Sequence, residues 1–413
     1  MKNILKTVIK DFHKNGIPKF RNRAIDIPIN SGKIVSLIGP RRAGKTYLLY
    51  QLMSNIPDIT DVIYINFEDE RLQFDAENLN LILEAYYELY PDKKEIYLFF
   101  DEIQEVNSWE KFVRRLYDSV SKQIFITGSS SKLLNKEIAT GLRGRTVSFN
   151  ILPLSFKEYS SFKDVPSDLH STKGKAVLIR EFKEYMEKGG FPEIVNADSL
   201  LSQKILQSYL DVMIFRDLIE RHEISNITAL KYFVKKALSN CAKEFSVHKV
   251  YNELKSQGIK ISKDSIYEFI DFCEDAFILS SVSLFSESIA NQTTKKIYSI
   301  DIALSRLVSF SLSKDLGRIL ENIVQIELRR KEKEIYYFRD KYECDFIIKE
   351  KDSITEAFQV CLEFNDDNEE REIEGLKEAM NKFKLKKGII LTLDEEKELD
   401  NIKIIPVWKW LME

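Results

Sequence analysis

The stretch "GPRRAGKT", residues 39–46, lies between the apolar run 34–38 and a helical pattern that starts at residue 47. It has the Gly-x-x-x-x-Gly-Lys-Thr spacing of a P-loop, which joins a strand to a helix. The glycines allow backbone N–H groups to surround phosphate oxygens, and the helix presents its positive N-terminal end to them. The predicted nucleotide-binding residues are Gly39, Pro40, Arg41, Arg42, Ala43, Gly44, Lys45, Thr46 and Tyr47.

A second motif supplies the acids that a nucleotide site needs. The apolar run 96–100 ends in Asp101-Glu102, and strand ends in open α/β folds are where ligands bind. Lys45 is predicted to contact the β- and γ-phosphates, and the Thr46 hydroxyl to ligate Mg²⁺. Asp101 is the predicted outer partner of the metal, and Glu102 the residue that polarises the attacking water. ATP and Mg²⁺ are therefore the predicted cofactors.

The spacing of apolar runs predicts the fold around these motifs. Short runs at 34–38, 62–67, 96–100 and 124–127 alternate with helical stretches. Near-continuous apolar strands separated by helices are typical of a parallel sheet that is covered on both faces. The predicted fold class of this region is therefore α/β.

Small hydroxyl residues follow the fourth run, in Gly128-Ser129-Ser130-Ser131. Ser129 is the first candidate, and Thr127 the second, for a hydrogen bond to the γ-phosphate or the attacking water. An N-cap of a helix over 132–137 is an equally good interpretation. Glu68 and Asp69 follow the second run. They are interpreted either as acids that lie behind the metal ligands, as an acidic surface for a neighbour's arginine, or as part of a solvated turn.

Arginines also lie close to these motifs. In "GLRGR", Arg143 and Arg145 can stabilise the charge that builds on the γ-phosphate, from their own subunit or an adjacent one. A surface salt bridge is the alternative for both. Arg41 and Arg42 are expected to point outward, toward an acid of another subunit or DNA, without a catalytic role.

Composition limits the class of protein. The 413 residues, 44% hydrophobic and 31% charged, are compatible with two to four globular domains. No segment approaches the ~20 apolar residues of a membrane span, and the N-terminus lacks a signal peptide pattern. Four isolated cysteines predict reduced thiols and a cytoplasmic location. Residues 1–50 hold eleven Lys and Arg against two acids, a basic segment that suits ATP, nucleic acid or an acidic subunit face.

The second half of the chain suggests two further modules. Residues 172–240 have helical patterns broken at "KGGFPE", 188–193. Residues 245–300 predict a winged helix: a helix, a turn at Gly258, a helix capped by Ser262, and two strands. The second of these helices carries one lysine against five acids, so its face repels phosphates. If DNA is bound, the basic N-terminal segment or the inner surface of a ring is the better candidate.

The order of elements after residue 315 resembles the PD-(D/E)XK nuclease core. Such a site needs an Asp, a Glu-x-Lys pair and often a helix-borne Glu to bind Mg²⁺. Asp345 matches the first acid, and Glu321 is the candidate helix acid. Gln359 and Cys361 stand where a carboxylate and the lysine are needed. The domain is therefore predicted to be a noncatalytic binding or assembly module.

Together, "GPRRAGKT", "LFFDEIQ", "ITGSSSKLL", "GLRGR", "LPLSFKEY" and "GGFPEIV" resemble the archaeal and bacterial AAA+ ATPases of the ORC/STAND-like branch. The resemblance implies a P-loop AAA+ parallel-sheet core with a helical lid, then a winged helix and a PD-(D/E)XK-like α/β domain. It also implies Mg-ATP hydrolysis, a γ-phosphate contact by Ser129 and a finger role for Arg143 or Arg145. The implied domains are the ATPase core 1–160, the lid 161–228, the winged helix 229–308 and a noncatalytic restriction-endonuclease-like domain 309–413.

The leading functional hypothesis is a cytoplasmic, homo-oligomeric, Mg-dependent ATPase without a membrane partner. Its hydrolysis would rearrange domains or subunits, with DNA as the client. The alternative is a slow ATP-dependent switch or scaffold with a protein client and no nucleic acid. A self-contained nuclease is disfavoured by Gln359 and Cys361.

Overall fold

The computed structural model describes residues 1–129, 141–286, 294–309, 316–364 and 369–413. These residues divide into two compact units, Met1–Ile151 and Leu152–Glu413, each of which contains one of the two sheets. The elements of the first unit are α1 (Lys2–Asn15), β1 (Ile34–Ile38), α2 (Lys45–Met53), β2 (Val62–Asn66), α3 (Leu81–Leu89), β3 (Tyr97–Asp101), α4 (Trp109–Ser119), β4 (Ile124–Gly128) and β5 (Thr146–Asn150).

The sheet of the first unit is parallel and, among the described residues, has five strands in the order β2-β3-β4-β1-β5. All four predicted apolar runs are strands of this sheet, so the predicted α/β class is confirmed. Every residue of β1 and β4 is buried, as expected for strands covered on both faces. Leu48, Leu49 and Leu52 of α2 pack with β1, which fixes the helix that follows the P-loop.

This strand order places the predicted site at one edge of the sheet. The carboxyl ends of parallel strands point the same way, so the loop after β1 and the acids at the end of β3 share an edge. β4 lies between β1 and β3, and its last residue, Gly128, leads to Ser129. Sequence-distant motifs are thus neighbours.

The second unit contains more helices and a mixed sheet. Its elements are α5 (Phe156–Phe162), α6 (Thr172–Lys188), α7 (Ser199–Val212), α8 (Ile227–Ser239), β6 (Lys243–Glu244), α9 (Val247–Ser256), α10 (Lys263–Asp275), β7 (Leu279–Leu284), β8 (Lys295–Ser299), α11 (Ile302–Val308), α12 (Leu316–Arg330), β9 (Glu334–Arg339), β10 (Glu343–Glu350), β11 (Ser353–Val360), α13 (Glu369–Phe383), β12 (Gly388–Thr392), β13 (Lys397–Leu399), β14 (Ile402–Pro406) and α14 (Val407–Trp410). A π-helical segment, Met213–Glu220, continues α7.

One sheet runs through most of the second unit, with the described strands in the order β13-β14-β12-β11-β10-β9-β7-β8-β6. The hairpin β7–β8 belongs to the region predicted as a winged helix, and β7 pairs in parallel with β9. The strands on both sides of residue 309 therefore share hydrogen bonds, while the domain boundaries at 228 and 308 stay predictions. Ser262 caps α10 by accepting a hydrogen bond from the Ser265 amide.

The "GGFPE" motif has a steric and polar role that the sequence analysis did not find. The Gly190 amide donates to Oδ2 of Asp301 at 2.8 Å, and the other oxygen of this carboxylate caps α11 through the Ala303 amide. Gly189 has a φ of 77°, and a Cβ there would lie 2.0 Å from Asp301 Oδ1. Burial raises the pKa of Asp301 to about 6 against these backbone hydrogen bonds. The glycine pair thus makes room for a buried carboxylate.

No helix among the described residues has both the length and the apolar character that crossing a bilayer requires.

Replacing Gly190 with alanine is expected to destabilise the second unit, because the new Cβ would lie 2.3 Å from the Leu154 carbonyl oxygen. Overpacking of this kind costs about 1–3 kcal/mol and lowers Tm by several degrees. Gly317→Ala is the matched control, since its Cβ meets nothing closer than Leu362 at 4.0 Å. Equal thermal unfolding curves for the two variants would contradict this packing.

Candidate functional site

The P-loop joins β1 to α2, and its two motif glycines are needed for different reasons. A Cβ at Gly39 would lie 2.0 Å from the Ile151 carbonyl oxygen, so no larger residue fits there. Gly44 has a φ of 95°, in the left-handed region that favours glycine. Lys45 begins the helix and is buried. Its Nζ donates to the carbonyl oxygens of Gly39 at 3.0 Å and Pro40 at 3.1 Å, which holds the ammonium inside the loop.

Thr46 and Asp101, the two predicted metal ligands, are in contact. The Thr46 hydroxyl donates to Oδ2 of Asp101 at 2.7 Å. The same carboxylate accepts hydrogen bonds from Thr127 at 2.5 Å and from Tyr64 at 3.2 Å. Hydroxyl and carboxylate oxygens are ligands that Mg²⁺ prefers. The described residues contain no group of three His, Cys, Asp or Glu side chains that could hold a metal. The Thr46 hydroxyl and the Asp101 carboxylate are of the ligand type that would fit a Mg²⁺ ion.

The two neighbouring acids differ in the direction of their pKa shifts. Burial and the adjacent negative charge of Glu102 raise the pKa of Asp101, against hydrogen bonds from Thr127 and Thr46. Burial also acts on Glu102, but the Lys45 ammonium and a hydrogen bond from Gln104 outweigh it and lower the pKa of Glu102. A divalent cation beside Asp101 would reverse the unfavourable shift of that carboxylate. Glu102 is held as the charged form that can accept a proton.

Glu102 is positioned by contacts on both sides. Its Oε1 lies 3.4 Å from Lys45 Nζ, and its Oε2 accepts a hydrogen bond from Gln104 Nε2 at 2.6 Å. Its backbone amide donates to the Thr127 hydroxyl at 2.8 Å, and its φ of 52° is left-handed. The sequence analysis missed the roles of Gln104 and Tyr64. The position of Gln104, two residues after Glu102 in "DEIQ", is the signal that could have suggested it.

The structure distinguishes the two sensor candidates. The Thr127 hydroxyl donates to Asp101, so it is already engaged in holding the metal ligand. The Ser129 hydroxyl is buried and has no hydrogen-bond partner among the described residues. Gly39 N donates to Gly128 O at 3.4 Å, which places Ser129 beside the P-loop. Ser129 is therefore the better candidate. Ser130, Ser131 and the helix that they would cap, 132–137, lie outside the described residues.

Arg145 lies at the opposite edge of the sheet from the P-loop. Arg145 precedes β5, and its carbonyl accepts a hydrogen bond from Ile34 N, at the start of β1. A strand of five residues spans roughly 15 Å at about 3.3 Å per residue. Arg145 also forms an ion pair with Asp118 at 3.0 Å, the surface salt bridge of the alternative interpretation. The position of Arg145 therefore does not fit a contact with the P-loop of the same copy, and a contact of either arginine with an adjacent copy stays a prediction.

The expectation that Arg41 points outward is wrong. Its Nη1 lies 2.8 Å from Glu68 Oε1, its Nη2 lies 4.0 Å from Glu105 Oε1, and 12% of the side chain is exposed. Glu68 thus pairs with an arginine of its own chain, whereas Asp69 pairs with Arg71 at 2.6 Å. The reason is the strand order, which brings the residues after β2 and β3 within reach of the P-loop. Arg42 is exposed, as expected, with a left-handed φ of 66°.

The acids of the nuclease-like motif are also brought together, around a lysine that the sequence analysis missed. Lys296 Nζ of β8 lies 3.1 Å from Glu321, 3.2 Å from Asp345 and 2.7 Å from Glu343. Tyr298 donates to the same Glu321 oxygen at 2.7 Å. Burial opposes the charge of Lys296, but the carboxylates, Glu321 first, raise its pKa well above the usual value. Burial and the charge of Glu321 raise the pKa of Asp345, against the Lys296 ammonium.

Gln359 and Cys361, which replace the carboxylate and the lysine of the nuclease motif, make contacts that do not involve a metal. Gln359 accepts a hydrogen bond from the Asp345 amide at 3.2 Å and donates to Glu372 at 2.6 Å. Cys361 is buried as a free thiol. Lys296 supplies a positive charge among the acids, but it comes from a different strand, and its side chain is 4% exposed. This arrangement is compatible with the predicted noncatalytic module.

Comparisons with known proteins agree with the geometry of the first unit. Residues 31–160 match an AAA domain, and residues 179–314 match a domain of unknown function, DUF8612. The chain is 41% identical to the uncharacterised protein MJ1544 of Methanocaldococcus jannaschii, over 95% of this chain and 91% of that protein. An uncharacterised protein of Haemophilus influenzae is 31% identical, over 92% and 94%. Among solved structures, a Walker-type ATPase of Pyrococcus abyssi is 15% identical and covers 75% of this chain and 95% of its own, with a TM-score of 0.43.

Replacing Lys296 with methionine is expected to destabilise the second unit, because the buried carboxylates of Glu321 and Asp345 lose their shared cation. Removing one partner of a buried ion pair costs about 3–5 kcal/mol. The loss measured by denaturant unfolding should be smaller at acid pH, where the carboxyl groups bind protons instead. Lys295→Met, on the opposite face of the same strand, is the control. Equal unfolding free energies of the two variants would contradict a central role for Lys296.

Proposed function

The chain belongs to the same family as its M. jannaschii and H. influenzae relatives and carries a P-loop AAA ATPase domain, and from this premise we propose that it binds and hydrolyses ATP with Mg²⁺. Hydrolysis would rearrange domains or subunits. The observation that carries the proposal is the contact of Thr46 with Asp101 at 2.7 Å, beside Lys45 and Glu102. Residues at the start of α2 and at the end of β3 converge there in the arrangement that phosphoryl transfer needs.

Each residue of the site has one task in this proposal. Lys45 neutralises charge on the β- and γ-phosphates, and Ser129 donates its unpaired hydroxyl to a γ-phosphate oxygen. Thr46 and Asp101 hold the Mg²⁺ ion, which supplies positive charge next to the phosphate oxygens when it is bound. Glu102 orients the attacking water. The water oxygen bonds to the γ-phosphorus while the bond to the β,γ-bridging oxygen breaks, and Glu102 takes the proton as ADP and phosphate form.

A homo-oligomer acting on DNA is the extended form of the proposal. The basic segment 1–50 and the family resemblance support it. A specific feature favours the alternative, a slow ATP-dependent switch or scaffold with a protein client. Helix α10 exposes Asp264, Glu268 and Asp271, and this acidic face repels nucleic acid phosphates. A cytoplasmic location stays a prediction.

Replacing Glu102 with glutamine is expected to leave Mg-ATP binding within a few-fold of the unaltered chain and to lower turnover by about 10²–10⁴, because the proton acceptor is lost. Lys45→Ala should lose both turnover and affinity for Mg-ATP. Phosphate release and binding calorimetry measure the two effects, with Glu70→Gln, exposed after β2, as the charge-matched control. Unaltered Mg-ATP affinity in Lys45→Ala would contradict the proposed site.

The client can be identified with the same assay. Turnover is measured with single-stranded, duplex and branched DNA, alongside particle size with and without ATP. Stimulation by DNA supports the DNA-dependent ATPase. Slow turnover that does not change when DNA is added, together with an effect of ATP on proteolysis or particle size, supports the ATP-dependent switch or scaffold.

Mixing subunits tests whether Arg143 or Arg145 acts on an adjacent copy. An Arg143→Ala, Arg145→Ala variant retains Glu102, and a Glu102→Gln variant retains both arginines. If the arginines reach the site of a neighbour, the mixture should recover part of the turnover that each variant lacks alone. Mixed particles that assemble by light scattering but recover no turnover would count against a shared site.

A further inference from the structure

We propose that Arg41 is a catalytic arginine that acts on the γ-phosphate from within its own copy, and that its ion pairs with Glu68 and Glu105 give way to the bound triphosphate. The inference rests on the proposed ATPase function. It adds a residue to which the sequence analysis gave no catalytic role.

The position of Arg41 is set by the strand order. The P-loop follows β1, whereas Glu68 follows β2 and Glu105 follows β3, and β4 lies between β1 and β3. The ion pairs of Arg41 with these two acids lie at the same edge of the sheet as Asp101 and Glu102. Glu105 ends the short helical turn whose N-cap is Glu102. The Arg41–Glu105 contact at 4.0 Å therefore brings a cation to the turn that carries the carboxylate proposed to orient the attacking water.

Arg41 is the less exposed partner of its two ion pairs. Its side chain is 12% exposed, while the Glu68 and Glu105 side chains are 31% and 32% exposed. Charge interactions are stronger where water is excluded, so the guanidinium is better placed than its partners to act on a nearby phosphate. Its planar fork of N–H groups matches two phosphate oxygens at once. A bound triphosphate would compete with the two carboxylates for the same donors.

This position separates the tasks of the cations. Lys45, inside the loop, neutralises phosphate charge in the bound substrate and in the transition state alike. Arg41 donates hydrogen bonds to the non-bridging γ-oxygens, where charge develops as the water oxygen bonds to phosphorus and the bond to the bridging oxygen of ADP breaks. Glu102 takes the proton of the water. Arg145 lies at the far edge, whereas Arg41 lies in the P-loop and supplies this charge without a second copy.

The competing explanation is that Arg41 is structural, and that its ion pairs join the ends of β2 and β3 to the P-loop. The two interpretations predict different results for the partners of one ion pair. Arg41→Ala and Glu68→Gln both remove the Arg41–Glu68 ion pair, so a structural role predicts that both variants lose turnover. If Arg41 is catalytic, Arg41→Ala removes the catalytic group and turnover falls. Glu68→Gln instead removes a carboxylate that competes with the phosphate for the guanidinium, so the kcat of this variant should be at or above that of the unaltered chain.

The experiment compares kcat with the affinities for Mg-ADP and for Mg-ADP with aluminium fluoride, an analogue of the transferred phosphoryl group, in the full chain. Arg41→Ala should lower kcat by about 10²–10³ and abolish most of the additional affinity for the analogue, with Mg-ADP affinity within a few-fold. Arg41→Lys, which keeps a charge but not the planar fork, should recover a small part of kcat. Arg71→Ala removes an exposed ion pair on the turn after β2 and serves as the control.

Two outcomes would overturn this inference but leave the ATPase proposal in place. In the first, Arg41→Ala has the same analogue affinity and the same kcat as the unaltered chain. In the second, Glu68→Gln loses as much kcat as Arg41→Ala does. Thermal unfolding of each variant shows whether it is folded, and Arg41→Lys gives the same comparison if Arg41→Ala is not. An unaltered chain that binds no Mg-ATP would instead overturn the ATPase proposal, and the inference with it.

Discussion

The contact of the Thr46 hydroxyl with the Asp101 carboxylate is the interaction on which the site depends. It joins the start of α2 to the end of β3, two strands away from β1. Only a parallel sheet brings the carboxyl ends of β1, β4 and β3 to one edge, and only small residues at Gly39 and Gly44 let the loop turn there. The loop, the metal ligands and the sensor candidate follow from this one constraint.

Buried carboxylates in both units are stabilised in related ways. In the first unit Lys45 lies beside Glu102, and Thr46 and Thr127 donate to Asp101. In the second unit Lys296 lies among three acids, while two backbone amides satisfy Asp301. Burying a carboxylate without such partners costs several kcal/mol, so each cluster fixes the elements that contribute to it. The lysine of each cluster is buried beside its carboxylates, with 4% of its side chain exposed.

Much of the first unit could be predicted from the sequence. The prediction of a P-loop AAA core is confirmed by the AAA domain match over residues 31–160, and the apolar runs are the strands of its sheet. The winged helix and the nuclease-like domain stay predictions. Arg41 was mispredicted because a loop position gives no information on which strand ends lie opposite. The choice between Ser129 and Thr127 needed the contact of Thr127 with Asp101.

The sequence by itself determined the local chemistry: the glycines of the P-loop, the hydroxyl of Thr46 and the carboxylates after β3, and the apolar strands that precede them. These are short-range properties, since each depends on spacing within a few residues. Tertiary structure alone decided that Arg41 meets Glu68, that Arg145 lies at the far edge, and that Lys296 joins Asp345. Strand order sets these neighbours, and strand order results from packing the whole chain rather than from any single segment.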